Sequence, residues 1–280
     1  MSLLNIEALQ HGLQDLPSLP AVVMELLGSI DQEDVDISVL ARKVSLDQAL
    51  TAKTLRLANS PGSGLQVRVT TIQQAITFLG FQTTRNLITA AAVTGCFPAG
   101  KCAGFDHRAF WRHSIATAAC ARVLARRMRL NQDFAFTAGL LHDIGRLVLV
   151  TAYPEQYSAV LARRQRDDRP LIDVEIDVLG IDHVMAGTAL AQHWQFSDTM
   201  QHAIAYHHAP GAPGAGFLAT IVHVANAIVH ALDLARDENE LVPPVSMVAW
   251  TALGLSQEAY LHVFRETEMQ FEEMSNVLMA

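Results

Sequence analysis

The amino-acid sequence predicts an all-α protein, and two observations carry that prediction. Hydrophobic residues make up 50% of the 280 positions; most are Ala, Leu, Val and Ile, and they recur at helical spacing. Aromatic residues make up only 6%, and the alternating β-branched runs that are typical of strands are rare. A chain of this length and composition can bury a large core, which excludes a disordered protein.

Capping patterns predict where several helices begin and end. Ser45 with Gln48, and Thr71 with Gln74, match the capping box that starts a helix. Gly80 is expected to end the helix that follows Thr71. Further helix-start positions are expected at Ser18, Asp36, Asp182 and Ser197.

The helical pattern breaks around the segment FPAGKCAGF, which is the candidate boundary between two lobes. We therefore expect a two-lobed helical protein, with an N-terminal lobe over residues 1–97 and a second helical lobe over 98–240. Residues 241–280 are expected to form a C-terminal helical extension. No repeat with a period of 20 to 50 residues is evident, so a solenoid is not expected.

Several classes of protein are excluded or disfavoured by the composition. The first residues, MSLLNIEALQHG, have no signal-peptide pattern, and no uncharged apolar stretch reaches about 18 residues, so we expect a soluble, cytoplasmic protein with no membrane partner. Cys96, Cys102 and Cys120 lack zinc-ligand spacing and are expected to be inert packing residues.

The charge of the chain disfavours nucleic acid as a partner. A net charge of −8 opposes a general electrostatic attraction to phosphate backbones. The local basic patch is interpreted as a solvated helix face; it comprises Arg122, Arg126, Arg127 and Arg129.

The stretch AGLLHDIGRLVLV sets His142 and Asp143 inside an apolar run. Burying two polar side chains costs free energy unless they are paired, hydrogen-bonded or bound to a metal. Helices elsewhere in the second lobe supply further imidazoles that a bundle can bring to one cavity. The candidate metal ligands are His113, His142, Asp143, His183, His207 and His208.

Neutral imidazoles with one carboxylate are the ligand set expected for iron, manganese, zinc or nickel. Each histidine taken alone is more often a core or surface residue than a ligand, and that alternative stays open. The other histidines are expected to be structural or solvent-facing; they are His11, His107, His193, His202, His223, His230 and His262.

In order, the segments FWRHS, GLLHDIGRLVL, IDHVMAGTALAQHW and AIAYHH resemble the HD superfamily of metal-dependent phosphohydrolases. The N-terminal segments LPSLPAVVMELL, ARKVSLDQALTAKTLRLANS and TIQQAITFLGFQTTRNLI make the HDOD branch the most similar. The resemblance covers about residues 12 to 230 and implies an all-helical bacterial signalling module, of a family generally regarded as lacking catalysis.

The same resemblance assigns roles to particular residues. It implies metal ligation by His113, His142 and Asp143, with His183, His207 and His208 added if the site resembles the binuclear centre of HD-GYP phosphodiesterases. Arg146 would then lie near the metal as a phosphate contact; the alternative is a surface arginine just past a helix kink.

Two departures from the catalytic pattern bear on function. The final Asp ligand of catalytic HD enzymes falls at Asn226, whose neutral amide is a poorer ligand, and the GYP loop is absent after His208. We therefore expect a non-enzymatic regulator that binds signalling proteins or a small nucleotide-like ligand. The alternative is a metal-dependent phosphohydrolase or phosphodiesterase, and DNA binding is a distant third.

Overall fold

The computed structural model describes residues 3–4, 6–14, 16, 19–28, 37–60, 63, 65–97, 100, 102–237 and 241–279. Among these residues the secondary structure is helical and contains no strand, which confirms the predicted all-α class. The helices are α1 (Ile6–Gln14), α2 (Ala21–Gly28), α3 (Ile37–Leu46), α4 (Gln48–Ala58), α5 (Ile72–Leu79), α6 (Phe81–Cys96), α7 (His107–Arg127), α8 (Gln132–Leu141), α9 (Ile144–Ala152), α10 (Pro154–Asp167), α11 (Leu171–Leu179), α12 (His183–His193), α13 (Asp198–Tyr206), α14 (Gly216–Ala231), α15 (Met247–Leu253) and α16 (Gln257–Leu278).

The chain forms two compact units. The larger unit contains Met1–Pro17 and Ala99–Thr267, and the smaller unit contains Ser18–Pro98 and Glu268–Ala280. Helix α1 belongs to the larger unit because it packs on α9 and α12. The predicted division into residues 1–97, 98–240 and 241–280 stays a prediction. It differs from this grouping in where α1 is placed and in treating residues 241–280 as one separate extension.

In the smaller unit α6 packs against α2, α4 and α5. The Thr71 hydroxyl accepts a hydrogen bond from the backbone N–H of Gln74 at 3.1 Å, which confirms the predicted cap of α5. Gly80 ends that helix at a φ of 84°, as predicted.

The capping box predicted at Ser45 and Gln48 is wrong. Ser45 lies inside α3, where its hydroxyl donates to the carbonyl of Ala41. The cap of α4 is Asp47, whose carboxylate accepts from the N–H of Leu50 at 2.9 Å. A carboxylate two residues nearer the helix takes the role because its oxygen reaches the exposed N–H groups of the first turn.

Other predicted helix starts have different outcomes. Asp182 caps α12 through the N–H of Met185 at 2.7 Å, as predicted. Ser197 precedes α13 but makes no side-chain cap hydrogen bond. Ser18 and Asp36 lie outside the described residues.

In the larger unit two glycines allow helix backbones to touch. A Cβ on Gly145 of α9 would lie 1.8 Å from the carbonyl oxygen of His183 and 2.4 Å from the nitrogen of Gly187, both in α12. A Cβ on Gly139 of α8 would lie 2.7 Å from Cα of Ala118 in α7. Only glycine fits at such distances, so α8 and α9 approach their neighbours more closely than side chains would permit.

The described residues contain one stretch, Gln132–Ala152, that is long and apolar enough to cross a membrane. Its most apolar window is 94% buried within the protein, and it consists of two helices interrupted at His142 and Asp143. We therefore interpret it as core.

The three cysteines are free and buried. Burial raises the pKa of Cys120 to about 12 and also raises the pKa values of Cys96 and Cys102. These thiols therefore stay protonated and poorly nucleophilic at neutral pH, which agrees with the predicted packing role.

The contact between α9 and α12 predicts the effect of a single methyl group. Gly145→Ala should lower the free energy of unfolding by about 3 kcal/mol or more, because the new Cβ meets backbone atoms that cannot rotate away. Gly211→Ala is the matched control: its Cβ would meet nothing closer than 3.8 Å, so a change within about 0.5 kcal/mol is expected. Urea unfolding of both variants measures the difference, and equal midpoints would contradict the close approach.

Candidate metal centre

The site is built around a break between two helices. Helix α8 ends at Leu141 with His142 as its C-cap, and α9 begins at Ile144 with Asp143 in the N-cap position. The Asp143 carboxylate makes no cap hydrogen bond to its own helix. In a continuous helix adjacent side chains diverge by about 100°, and the break lets His142 and Asp143 share one site.

The other imidazoles come from three further helices. His113 lies within α7, His183 is the first residue of α12, and His207 is the C-cap of α13 with His208 directly after it. His113, His142, His183 and His207 are buried, and His208 is the exposed member of the set.

The structure brings all six predicted ligands together. Oδ1 of Asp143 lies 3.5 Å from Nε2 of His142, 3.5 Å from Nε2 of His183 and 3.4 Å from Nε2 of His207. Nε2 of His142 lies 3.3 Å from Nε2 of His113. Nε2 of His183 lies 3.1 Å from Nε2 of His208. Asp143 thus belongs to two overlapping groups, one with His113 and His142 and one with His183, His207 and His208.

These distances fit metal ligation. Two imidazole nitrogens bound to one ion at about 2.1 Å lie about 3.0 to 3.4 Å apart at octahedral or tetrahedral angles. Nε2 of His207 is buried and makes no well-formed hydrogen bond, although a buried donor or acceptor normally has a partner. The donor set and the spacing of its atoms therefore fit a divalent metal ion.

Hydrogen bonds on the far side of three rings fix which nitrogen faces the cluster. Nδ1 of His142 lies 2.7 Å from the carbonyl of Gly139, and Nδ1 of His207 lies 2.7 Å from the carbonyl of Ile204. Because a carbonyl can only accept, Nδ1 carries the proton in both rings. Their Nε2 lone pairs are thereby presented to the site, which is the usual arrangement of a ligating histidine.

The third ring is fixed by Glu175 of α11. One oxygen of this fully buried carboxylate, Oε2, accepts from Nδ1 of His183 at 2.6 Å and from its backbone N–H at 2.9 Å. The other, Oε1, accepts from the Tyr157 hydroxyl at 2.8 Å. Glu175 was not among the residues predicted from the sequence, although it is an acid on the apolar face of α11, beside Val174 and one turn before Leu179.

Electrostatics in the cluster keeps two imidazoles neutral and draws positive charge to a third. Burial lowers the pKa of His142 to about 3. The Asp143 carboxylate opposes this shift, and the rings of His207 and His113 add to it. Desolvation of the His208 ring against the cluster, followed by the rings of His207 and His183, lowers the pKa of His208 as well. Burial alone would lower the pKa of His183, but the carboxylates of Glu175 and Asp143 outweigh it and raise that pKa to about 9.

The pKa of Asp143 itself is held well below its usual range. Burial alone would raise it, but the rings of His142 and His183 outweigh that effect. The site therefore contains an ionised carboxylate among imidazoles, and a cation between Asp143 and Glu175 is favoured.

Arg146 is not the surface arginine that one interpretation expected. It is buried, and its Nη1 lies 3.4 Å from Oδ2 of Asp143. Its guanidinium lies 5.7 Å from the ring centres of both Phe105 and Phe110. A cation is thus held beside the ligand carboxylate, where it can also meet an anion.

Two buried residues of α14 bear on the interpretation of the centre. His223 is buried; its Nδ1 donates to the carbonyl of His207 at 2.7 Å, and its Nε2 accepts from the N–H of Ser246 at 2.9 Å. The predicted structural role of His223 is thereby confirmed, because the ring supports the turn that carries two ligands. Asn226 is buried, and its Oδ1 has no hydrogen-bond partner among the described residues.

The fold and this cluster define an all-helical protein with an HD-type histidine and aspartate centre. The HDOD domain profile matches residues 16–210. The chain belongs to the HDOD domain family.

Solved structures agree with this assignment. A candidate phosphohydrolase from Shewanella amazonensis SB2B is 31% identical, with a TM-score of 0.73, and the match covers 97% of this chain and 98% of that one. An HDOD domain protein from Geobacter sulfurreducens is 26% identical, also with a TM-score of 0.73, over 94% of this chain and 89% of that one.

Curated relatives are longer proteins. A Treponema pallidum protein is 27% identical over 205 residues, which are 72% of this chain and 39% of that protein. Ribonuclease Y of Lactobacillus helveticus is 27% identical over 165 residues, which are 57% of this chain and 25% of that enzyme. The match thus covers well under half the length of these two relatives.

The hydrogen bonds of Glu175 predict a role in metal affinity. Glu175→Gln keeps the shape of the side chain but removes the charge that orients His183, so the affinity for Mn²⁺ should fall about 10- to 100-fold. Glu155→Gln, at an exposed position of α10, is the control and should leave the affinity unchanged. Competition with a chromophoric chelator measures both, and equal affinities in the two variants would contradict the role of Glu175.

Proposed function

We propose that this protein is a signal-transduction regulator whose HD-type centre holds a divalent metal ion as a structural element. The observation that carries the proposal is the convergence of five imidazoles on the Asp143 carboxylate. Iron, manganese, zinc and nickel all suit this ligand set. Held by these residues, an ion would tie together α7, α12, α13 and the break between α8 and α9.

The residue at the position of the final acid ligand of catalytic HD enzymes argues for regulation rather than catalysis. Resemblance to catalytic HD enzymes places their final acid at Asn226, and an amide supplies no negative charge to offset a metal. Membership of the HDOD family supports the same choice. The partner would be a signalling protein or a small nucleotide-like ligand, and the buried free thiols suit the reducing cytoplasm.

Two of the four arginines in the basic patch are already paired, which weighs against nucleic acid as a partner. Arg122 lies 3.4 Å from the Asp133 carboxylate and 4.4 Å above the Phe136 ring. Arg126 forms an ion pair with Glu266. Charges that are already paired contribute little attraction to a phosphate backbone.

A phosphohydrolase is the second candidate, and the position of Arg146 favours it. A divalent ion would supply a Lewis acid for phosphoester hydrolysis. The Arg146 guanidinium, beside that ion, could hold a phosphate oxygen. Glu175 fixes the His183 ring, so Nε2 of His183 would stay in position to bind the ion. The 31% identity to a candidate phosphohydrolase supports this alternative.

Metal binding predicts a change in thermal stability. Removing the metal with EDTA should lower the melting temperature by several degrees, since a ligand at about 100 times its Kd stabilises the folded state by about 2.7 kcal/mol. His142→Ala should melt at a temperature that no longer responds to Mn²⁺ or EDTA. His193→Ala, an exposed position on α12, should respond like the unaltered protein. An unaltered protein insensitive to EDTA, with no metal by elemental analysis, would refute the metal centre.

A hydrolysis assay separates the two candidates. The protein loaded with Mn²⁺ or Fe²⁺ is incubated with nucleoside monophosphates, cyclic dinucleotides and, because of the similarity to ribonuclease Y, single-stranded RNA. The regulator predicts no turnover above that of His142→Ala on any of them. Turnover that disappears in His142→Ala and persists in His193→Ala would overturn the regulator in favour of the enzyme.

A further inference from the structure

A cavity of about 520 Å³ adjoins the metal centre within the larger unit. We call it the Arg146 cavity, because Arg146 lines it while its Nη1 lies 3.4 Å from Asp143. Its other walls come from the segment before α7, from α7 and α10, and from the segment after α14. This volume lies in the range of small-molecule sites, about 300 to 1,000 Å³.

The charged lining of the cavity favours an anion. Its arginines are Arg146, Arg164 and Arg236, and its acids are Asp106 and Asp237. Arg146 and Arg164 are only 8% and 9% exposed, so water screens their charges weakly and the cavity focuses their field.

One of the two acids is engaged by its own helix. The Asp106 carboxylate accepts from the backbone N–H groups of Arg108 at 2.7 Å and Ala109 at 3.0 Å, as the N-cap of α7. Its charge is therefore largely directed to the helix N-terminus. Asp143 offsets the charge of Arg146. The two other arginines of the wall still outnumber Asp237, so the balance is positive, and guanidinium groups suit the geometry of phosphate.

The cavity also has an aromatic side, on which Phe105 is partly exposed and Phe110 is buried. Phe105 and Phe110 lie with ring centres 5.8 Å apart and flank the Arg146 guanidinium. Small residues, Ala109 and Ala162, leave space beside them. Aromatic and guanidinium faces are the surfaces on which a planar base stacks.

We propose that the Arg146 cavity is an effector site for a mononucleotide, with the phosphate on its arginines and the base against Phe105. The inference rests on the proposed function, since it supplies the signal that a regulator would receive. Arg146 connects the site to the metal centre directly through Asp143. A second connection runs through Tyr157, which lies near the Arg146 guanidinium and donates a hydrogen bond to Glu175.

Calorimetry on the full chain after EDTA treatment tests the site without metal. The four ribonucleoside 5′-monophosphates are titrated one at a time, with inorganic phosphate and adenosine as partial ligands. At least one nucleotide should bind about tenfold or more tightly than either partial ligand, because charge and stacking then act together. If no nucleotide binds with a Kd below about 1 mM, the proposal is overturned.

Two pairs of variants locate the binding. Ala162→Trp fills the cavity from an exposed position of α10, and Ala159→Trp is its control on the same helix outside the lining. Arg236→Ala removes an exposed guanidinium of the wall, and Arg166→Ala removes one outside it. Ala162→Trp and Arg236→Ala should each weaken nucleotide binding about tenfold, and the controls should stay within about twofold. Equal losses in variant and control would place the nucleotide elsewhere and overturn the proposal.

Measuring Mn²⁺ binding in the same variants tests the metal centre independently of the nucleotide site. Ala162→Trp should bind Mn²⁺ as the unaltered protein does, because Ala162 is not a ligand. Nucleotide binding that fails while the metal binds would refute the cavity alone. Nucleotide binding that persists in a protein unable to bind metal would support the cavity and refute the metal centre.

Discussion

The Asp143 carboxylate is the interaction on which the rest of the larger unit depends. It is buried and ionised, so it would be costly unless positive or polar groups surrounded it. Imidazoles from four helices and the guanidinium of Arg146 meet it. The chain can bring them there because α8 stops one residue before His142 and a new helix starts after Asp143.

Backbone contact between α9 and α12 sets the distance between those partners. Gly145 allows α9 to touch the carbonyl of His183, and His183 is also the residue whose ring reaches Asp143. The same packing that fills the core therefore positions the ligand. A site built on helix ends held by backbone contact needs little further ordering when a metal binds.

The sequence pointed to the helical class and to the residues that converge on Asp143, but it did not identify the groups that orient those residues. His113, His142, Asp143, His183, His207 and His208 could be found because polar residues of metal-binding type stand out in apolar runs. Glu175 did not stand out, because its function depends on His183, eight residues later, and on Tyr157 in another helix. The cap of α4 was missed for a similar reason: Ser45 matched the pattern, but the position of the helix end favoured Asp47.

The charge balance of the centre bears on how many divalent ions its residues could hold. Asp143 is the sole carboxylate among the six ligand residues, and Glu175 acts behind His183. Arg146 adds a positive charge on the opposite side of Asp143. Two divalent ions would place four positive charges beside two carboxylates and a guanidinium in a buried site, whereas one ion leaves the charges close to balanced. The charges of the centre are therefore better suited to a single ion than to the paired ions of a two-metal hydrolase.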